Sequence, residues 1–133
     1  MRPGSRLTIL TYLAMVEKTR QVVEELGVDA EIIDLRSLDR AGLDWEMIEA
    51  SIRKTNNVLI VEQGALGTSY GGFLADELQR RVFDWLDQPI MRVHGGEASP
   101  SISKVLEQAA FARPGDIEAG IRQAMAAQGA PLA

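Results

Sequence analysis

The sequence predicts a three-layer α/β/α domain built on an open, mainly parallel sheet of four to five strands. Three observations predict it. The run Val58-Leu59-Ile60-Val61 is apolar without interruption and rich in β-branched residues, which suits a strand covered on both faces. It ends in Glu62-Gln63 and a loop carrying Gly64, Gly67, Gly71 and Gly72, after which an amphipathic helix begins. Strand-like and helix-like stretches alternate along the rest of the chain. That is the pattern of βαβ units, whose right-handed crossovers place helices on both faces of one sheet.

The elements follow in order. Residues 7–12 (LTILTY) form the first strand. A helix over 14–26 has Ala14, Met15, Val22, Val23 and Leu26 as its apolar stripe, and Gly27 closes it in the left-handed conformation. Residues 30–35 form the second strand. Asp44 is the N-cap of a helix that runs to about Thr55, with Met47, Ile48 and Ile52 inward. Asn56-Asn57 turns the chain into the third strand, 58–61. The third helix spans 70–86 and buries Phe73, Leu74, Leu78, Val82, Trp85 and Leu86, with Pro89 as the stop. Residues 90–93 make a fourth strand, 94–103 a loop and 105–111 a short helical piece. Pro114-Gly115 precedes the last helix, 116–127, whose inner stripe is Ile117, Ile121, Ala124 and Met125. Residues 128–133 form a fraying tail.

The chain of 133 residues is read as one domain, long enough to bury roughly 70% of the surface its unfolded form exposes. A net charge of −5 argues against a nucleic-acid footprint, which needs a basic face. No apolar run approaches the roughly 20 residues that span a bilayer, so no membrane partner is expected. There is no cysteine, which excludes disulfides and thiolate metal sites and fits a cytoplasmic setting.

The sites such a sheet can carry are thin in chemistry. The dinucleotide fingerprint needs glycines straight after the first strand, where Tyr12-Leu13-Ala14-Met15 stands. Asp34 then reads as a pairing or capping residue with Arg36 as its partner. The 64–72 loop lacks the Gly-Lys-Ser/Thr ending of a P-loop, although anion binding at the following helix N-terminus stays open. His94, the only histidine, stands at the end of strand four, as a general base or as a structural residue. Glu62 serves as an acid or base if it is buried beside another carboxylate. Glu62, Gly64, Gly67, His94 and Gly95 thus make a candidate ligand edge. Asp76, Glu77, Asp84 and Asp87 form an acidic set along and beyond helix three. It reads either as a solvated helix face or as a docking surface for a basic partner.

The joint order of Asp34-Leu35-Arg36, Lys54-Thr55-Asn56, Val61-Glu62 and Leu86-Asp87-x-Pro89 resembles the C-terminal domain of the transketolase-like superfamily. The likeness covers roughly residues 7–125. It is nearest to the beta subunit of thiamine-diphosphate-dependent 2-oxo acid dehydrogenases of the pyruvate, branched-chain or acetoin type. The resemblance implies an assembly and docking domain. Its partners would be the alpha subunit, a second beta subunit and the subunit-binding domain of the dihydrolipoyl acyltransferase core. It implies Asp87, with Asp84 adding to the field, as the residues facing a basic group on that core. It places thiamine diphosphate, magnesium and catalysis in the parent enzyme's other domains, so no cofactor is expected on this chain alone, the isolated chain is expected to be inactive, and His94 is not carried over as catalytic. Glu97-Ala98-Ser99-Pro100-Ser101 departs from the family's Asp followed by Pro and Tyr. Arg2-Pro3-Gly4-Ser5 keeps only the turn after the family's extra antiparallel strand. The sheet edge left uncovered invites pairing with another copy, a homodimer. The residues taken alone leave a second reading open, a self-contained α/β module for a small ligand or anion, and the resemblance leaves a third, the C-terminal domain of another transketolase-like enzyme.

Overall fold

A computed structural model describes residues 2–36, 38–39, 41–64, 70–95 and 112–127. Strands β1 (Leu7–Thr11), β2 (Ala30–Asp34), β3 (Val58–Val61) and β4 (Met91–Val93) form one parallel sheet in the order β2-β1-β3-β4. The helices are α1 (Met15–Leu26), α2 (Trp45–Thr55), α3 (Gly71–Val82) and α4 (Pro114–Ala127). β1 and β3 are buried along their whole lengths, as the uninterrupted apolar run of β3 predicts; in β1 the buried positions include Thr8 and Thr11.

Side-chain alternation along the strands sorts the core into two layers. Leu7, Ile9, Leu59 and Val61 pack with Val22 and Val23 of α1 and with Ile117, Ile121 and Met125 of α4. Leu10, Ile33, Val58 and Ile60 pack with Ile48 and Ile52 of α2 and with Leu74, Leu78 and Val82 of α3. The α2 layer also buries a hydroxyl set, in which Thr8 Oγ1 lies 2.8 Å from Ser51 Oγ and 2.7 Å from Thr55 Oγ1. Burial of these polar groups is tolerated because each has a partner.

The ends of the helices have local causes. Gly27 closes α1 at φ 66°, and its amide donates to the Glu24 carbonyl. The Asp44 side chain caps α2 by accepting the Met47 amide at 3.0 Å. Asn56, at φ 58°, ends that helix. Pro114 is the first residue of α4 rather than the residue before it. A fixed φ suits that position, and Asp116 accepts the Arg113 amide at 2.8 Å. The stripes need correction at three side chains: Ala14 is exposed, and Met47 and Trp85 are 45% and 48% exposed. The third helix also ends earlier than its periodicity predicts. After Val82 the chain tightens into a 3-10 turn, Phe83–Trp85, and Leu86 is extended. The expected helical piece over 105–111, Gly67, Glu97 and the tail lie outside the described residues.

The β2 edge is less bare than expected. Arg2 forms an antiparallel bridge to Ile32, whose amide donates to the Arg2 carbonyl at 2.8 Å. Gly4 lies so close to β2 that a Cβ there would stand 2.2 Å from the Ala30 carbonyl carbon. Asp29 accepts the Ser5 amide at 3.0 Å and also its hydroxyl, while Glu31 accepts the Gly4 amide at 3.3 Å and pairs with Lys54.

These two carboxylates make the edge acid-sensitive. The Ser5 contacts hold Asp29 below its ordinary value of 3.8. At Glu31 burial pushes upward, but Lys54, Ser51 and the Gly4 amide outweigh it and hold the group below 4.5. A depressed carboxylate stabilises the fold above its unfolded pKa, and that contribution is lost as pH falls through the folded value. The protection factor of the Ile32 amide, its exchange rate relative to that of the unstructured chain at the same pH, is therefore expected to stay high near neutral pH and to fall as pH drops below those ordinary values. A protection factor that does not change with acid would contradict this anchoring.

Candidate functional site

In an open α/β sheet, ligands bind outside the C-terminal ends of the strands where the strand order reverses. Here that point lies between β1 and β3, because the chain passes from β1 outward to β2 and from β3 outward to β4. Thr11 stands opposite Val61, so the next residues on the two strands, Tyr12 and Glu62, face each other in the crevice.

Glu62 fills that crevice. It is fully buried, and among the described residues its carboxylate accepts from the Tyr12 hydroxyl at 3.0 Å, the Gly71 amide at 2.7 Å and the Arg92 guanidinium at 2.7 Å. The Gly71 amide belongs to the first turn of α3, where unsatisfied amides and the helix dipole attract an anion. The anion present is the protein's own side chain. A Cβ on Gly71 would lie 2.2 Å from Glu62 Oε1 and 2.6 Å from Cδ, so only glycine lets the helix come this close. Burial, the Glu62 charge and the hydrogen bond to it all raise the pKa of Tyr12, which stays a neutral donor.

The condition for acid or base work at Glu62 is a second carboxylate beside it; among the described residues the carboxylate is instead paired with Arg92. Arg92 lies in β4 beside Ile60 of β3. Its charge in an otherwise apolar strand is a signal of a buried counter-charge. Tyr12 and Arg92 both escape a search for motifs, because they are assembled only by strand pairing.

The other residues of the suggested ligand edge meet only in part. The Gly95 amide donates to the Gly64 carbonyl at 2.8 Å, which ties the exit of β4 to the exit of β3. His94 is half-buried, and its Nδ1 lies 2.5 Å from the Gly95 carbonyl oxygen. Among the described residues no hydroxyl or carboxylate contacts the imidazole, and no group of three or more His, Cys, Asp or Glu is placed to hold a metal. Asp34 accepts the Arg36 amide at 3.1 Å and pairs with its guanidinium at 3.7 Å. The described residues at this crevice therefore do not fit thiamine diphosphate or magnesium, since Glu62 occupies it with Tyr12, Gly71 and Arg92 as its partners.

The acidic set divides in two. Asp76 pairs with Arg80 at 3.4 Å and Glu77 with Arg81 at 3.2 Å, the ordinary pairing along one helix. Asp84 and Asp87 are exposed, and neither forms an ion pair among the described residues. Both line a groove of about 870 Å³ whose apolar wall includes Phe83, Leu86, Pro89 and Ile90. The segment is held in shape. The Asp87 amide donates to the Asn56 carbonyl at 3.0 Å, and Asn56 Nδ2 donates to the Trp85 carbonyl at 2.6 Å. Gln88 donates to Asn57 and, at 3.1 Å, to the Ala124 carbonyl of α4. The groove is thus a fixed surface feature with two uncompensated carboxylates. Among the described residues no helix is long and apolar enough to cross a membrane.

Comparison with known proteins adds a family. The transketolase C-terminal domain family matches residues 1–117. The 2-oxoisovalerate dehydrogenase subunit beta of Pseudomonas aeruginosa is 38% identical over 125 residues, which cover 94% of this chain and 35% of that protein. Pyruvate dehydrogenase E1 component subunit beta-3, chloroplastic, of Oryza sativa subsp. japonica is 36% identical over 126 residues, 92% of this chain and 32% of its own. The pyruvate dehydrogenase E1 component subunit beta of Staurastrum punctulatum is 36% identical over 126 residues, 92% and 38% respectively. The chain spans about a third of the length of these relatives. A solved chain described as a split gene transketolase, inactive beta4 tetramer, superposes with a TM-score of 0.74 at 21% identity, covering 94% of this chain and 40% of that one, a likeness of fold.

Proposed function

Because the chain belongs to the transketolase C-terminal domain family, we propose that it is the assembly and docking domain of the beta subunit of a decarboxylating 2-oxo acid dehydrogenase. Its partners in this reading are the alpha subunit, a second beta subunit and the subunit-binding domain of the dihydrolipoyl acyltransferase core. Thiamine diphosphate and magnesium belong to the parent enzyme's other domains. Cytoplasmic residence is part of the same reading.

The single observation that carries it is the closed crevice. The place where a sheet of this order receives a ligand holds Glu62, bonded to Tyr12, Gly71 and Arg92. That filling counts against the small-ligand or anion-binding alternative, since the anion position at α3 is taken. Among the described residues what remains available is outer surface, and there Asp84 and Asp87 stand uncompensated on a fixed segment. An exposed carboxylate pair attracts a basic partner from a distance and orients it, at the cost of salt sensitivity.

The test is a binding titration of this chain with a cognate acyltransferase subunit-binding domain at several salt concentrations. Affinity should fall as salt rises. Asp87→Ala should weaken binding most at low salt, by less than the roughly 2–5 kcal/mol that a buried interfacial charge pair costs, because a charge at the rim acts mainly on encounter and salt dependence. Unchanged affinity in that variant would remove Asp87 from the interface.

A further inference from the structure

We infer that Phe83 is the affinity-determining residue of this docking face, and that the groove beside it takes a partner segment in which one apolar side chain is flanked by two cationic ones. The role rests on the docking reading above and adds the chemistry of the occupant.

Phe83 is 71% exposed, and the other exposed large apolar side chains among the described residues are Leu13, Met47 and Trp85. Of the four, only Phe83 lines the groove. Its neighbour Trp85 is engaged elsewhere: the Arg53 guanidinium sits 5.9 Å over its ring, and its carbonyl takes the Asn56 side chain. The 3-10 turn therefore holds Trp85 toward α2 and presents Phe83 and Asp84 to the groove. The same clip fixes the backbone before docking, so little freedom is lost when a partner arrives.

The charges select the occupant. Asp76 also lines the groove, but Arg80 offsets it at 3.4 Å. Asp84 and Asp87 remain, so two cations on the partner complete the set. The apolar wall of Leu86, Pro89 and Ile90 then needs an apolar side chain between them. A second copy is a poor occupant. The chain carries a net charge of −5, and a two-fold contact through this face would set Asp84 and Asp87 against their own copies. In interfaces of this kind a few buried, often aromatic, anchors carry the affinity, while charges at the rim set the rate of encounter and the salt dependence.

Three variants separate these roles in titrations against the immobilised subunit-binding domain of the acyltransferase from the same organism. Phe83→Ala is expected to weaken binding about tenfold or more at every salt concentration, with the salt slope unchanged. Asp84→Asn and Asp87→Asn should flatten the slope instead. Thermal melting of Phe83→Ala should match the unaltered chain, because an exposed ring contributes little to the fold. Binding by Phe83→Ala within about twofold of the unaltered chain, below the tenfold that marks about 1.4 kcal/mol, overturns the role of Phe83 and leaves the docking reading standing. Self-association of the chain that Phe83→Ala abolishes overturns the cationic partner in favour of a second copy. No binding by the unaltered chain overturns both this role and the docking reading.

Discussion

Glu62→Gln is expected to lower the unfolding free energy by about 3 kcal/mol, the lower end of what breaking a buried ion pair costs. The carboxylate has two oxygens and, among the described residues, accepts from Tyr12, Gly71 and Arg92. Glutamine keeps the shape but replaces one oxygen by a donor. At least one of the three then faces a donor and loses its acceptor. Arg92, whose side chain is 17% exposed, also loses its opposite charge in a site that water reaches poorly. Tyr12→Phe removes one hydrogen bond from a neutral donor to the same carboxylate and should cost about 1.5 kcal/mol, the lower end for a bond to a charged group. Chemical denaturation measures both, with an unchanged slope showing that stability alone has moved. Equal, small effects would mean that the carboxylate is solvated and that the crevice is open.

Gly71→Ala is expected to cost about 3 kcal/mol, the upper end for overpacking. Alanine at a helical position ordinarily gains about 1 kcal/mol over glycine, so the sign of the effect is itself diagnostic. The added Cβ would lie 2.2 Å from Glu62 Oε1 and 2.6 Å from Cδ. Glu62 cannot swing aside, because Tyr12 and Arg92 hold it from the other directions. The two sites are therefore coupled. In a Glu62→Ala background the clash disappears, and Gly71→Ala should become neutral or slightly stabilising. Contacting residues show this kind of non-additivity, whereas independent ones add within about 0.5 kcal/mol. Simple addition of the two costs in the double variant would contradict the packing of α3 on the carboxylate.

Much of the fold is legible in the sequence, because it is set by short-range chemistry. β3 is an apolar run that matches its strand residue for residue, and Gly27, Asp44 and Asn56 mark helix ends through conformations or caps that they favour. The end of α3 is less legible. Val82, Trp85 and Leu86 keep a helical spacing, yet the chain tightens after Val82 because Asn56, nearly thirty residues earlier, takes the Trp85 carbonyl and accepts from Asp87. A reading by apolar stripe also passes over Thr8 and Ser51, which are buried through their hydroxyl pairing. At the site, the sequence points to Glu62 as a polar residue leaving a buried strand. It cannot supply Tyr12 or Arg92, because those neighbours exist only once β1, β3 and β4 are paired in register. The division of the acidic set has the same origin. Arg80 and Arg81 follow their acids by one helical turn, so pairing is visible in the spacing, whereas the isolation of Asp84 and Asp87 depends on the turn that follows Val82.

On the docking proposal, this chain works by surface contact at residues 83–90 while its sheet crevice stays closed. Hydrogen exchange of the chain with and without the acyltransferase subunit-binding domain tests it most directly. Slowed exchange confined to the amides around Phe83, Asp84, Asp87 and Gln88, with those of Glu62, Gly71 and Gly95 unchanged, is the expected result. Protection at Glu62, Gly71 and Gly95, or in the presence of thiamine diphosphate alone, would contradict it.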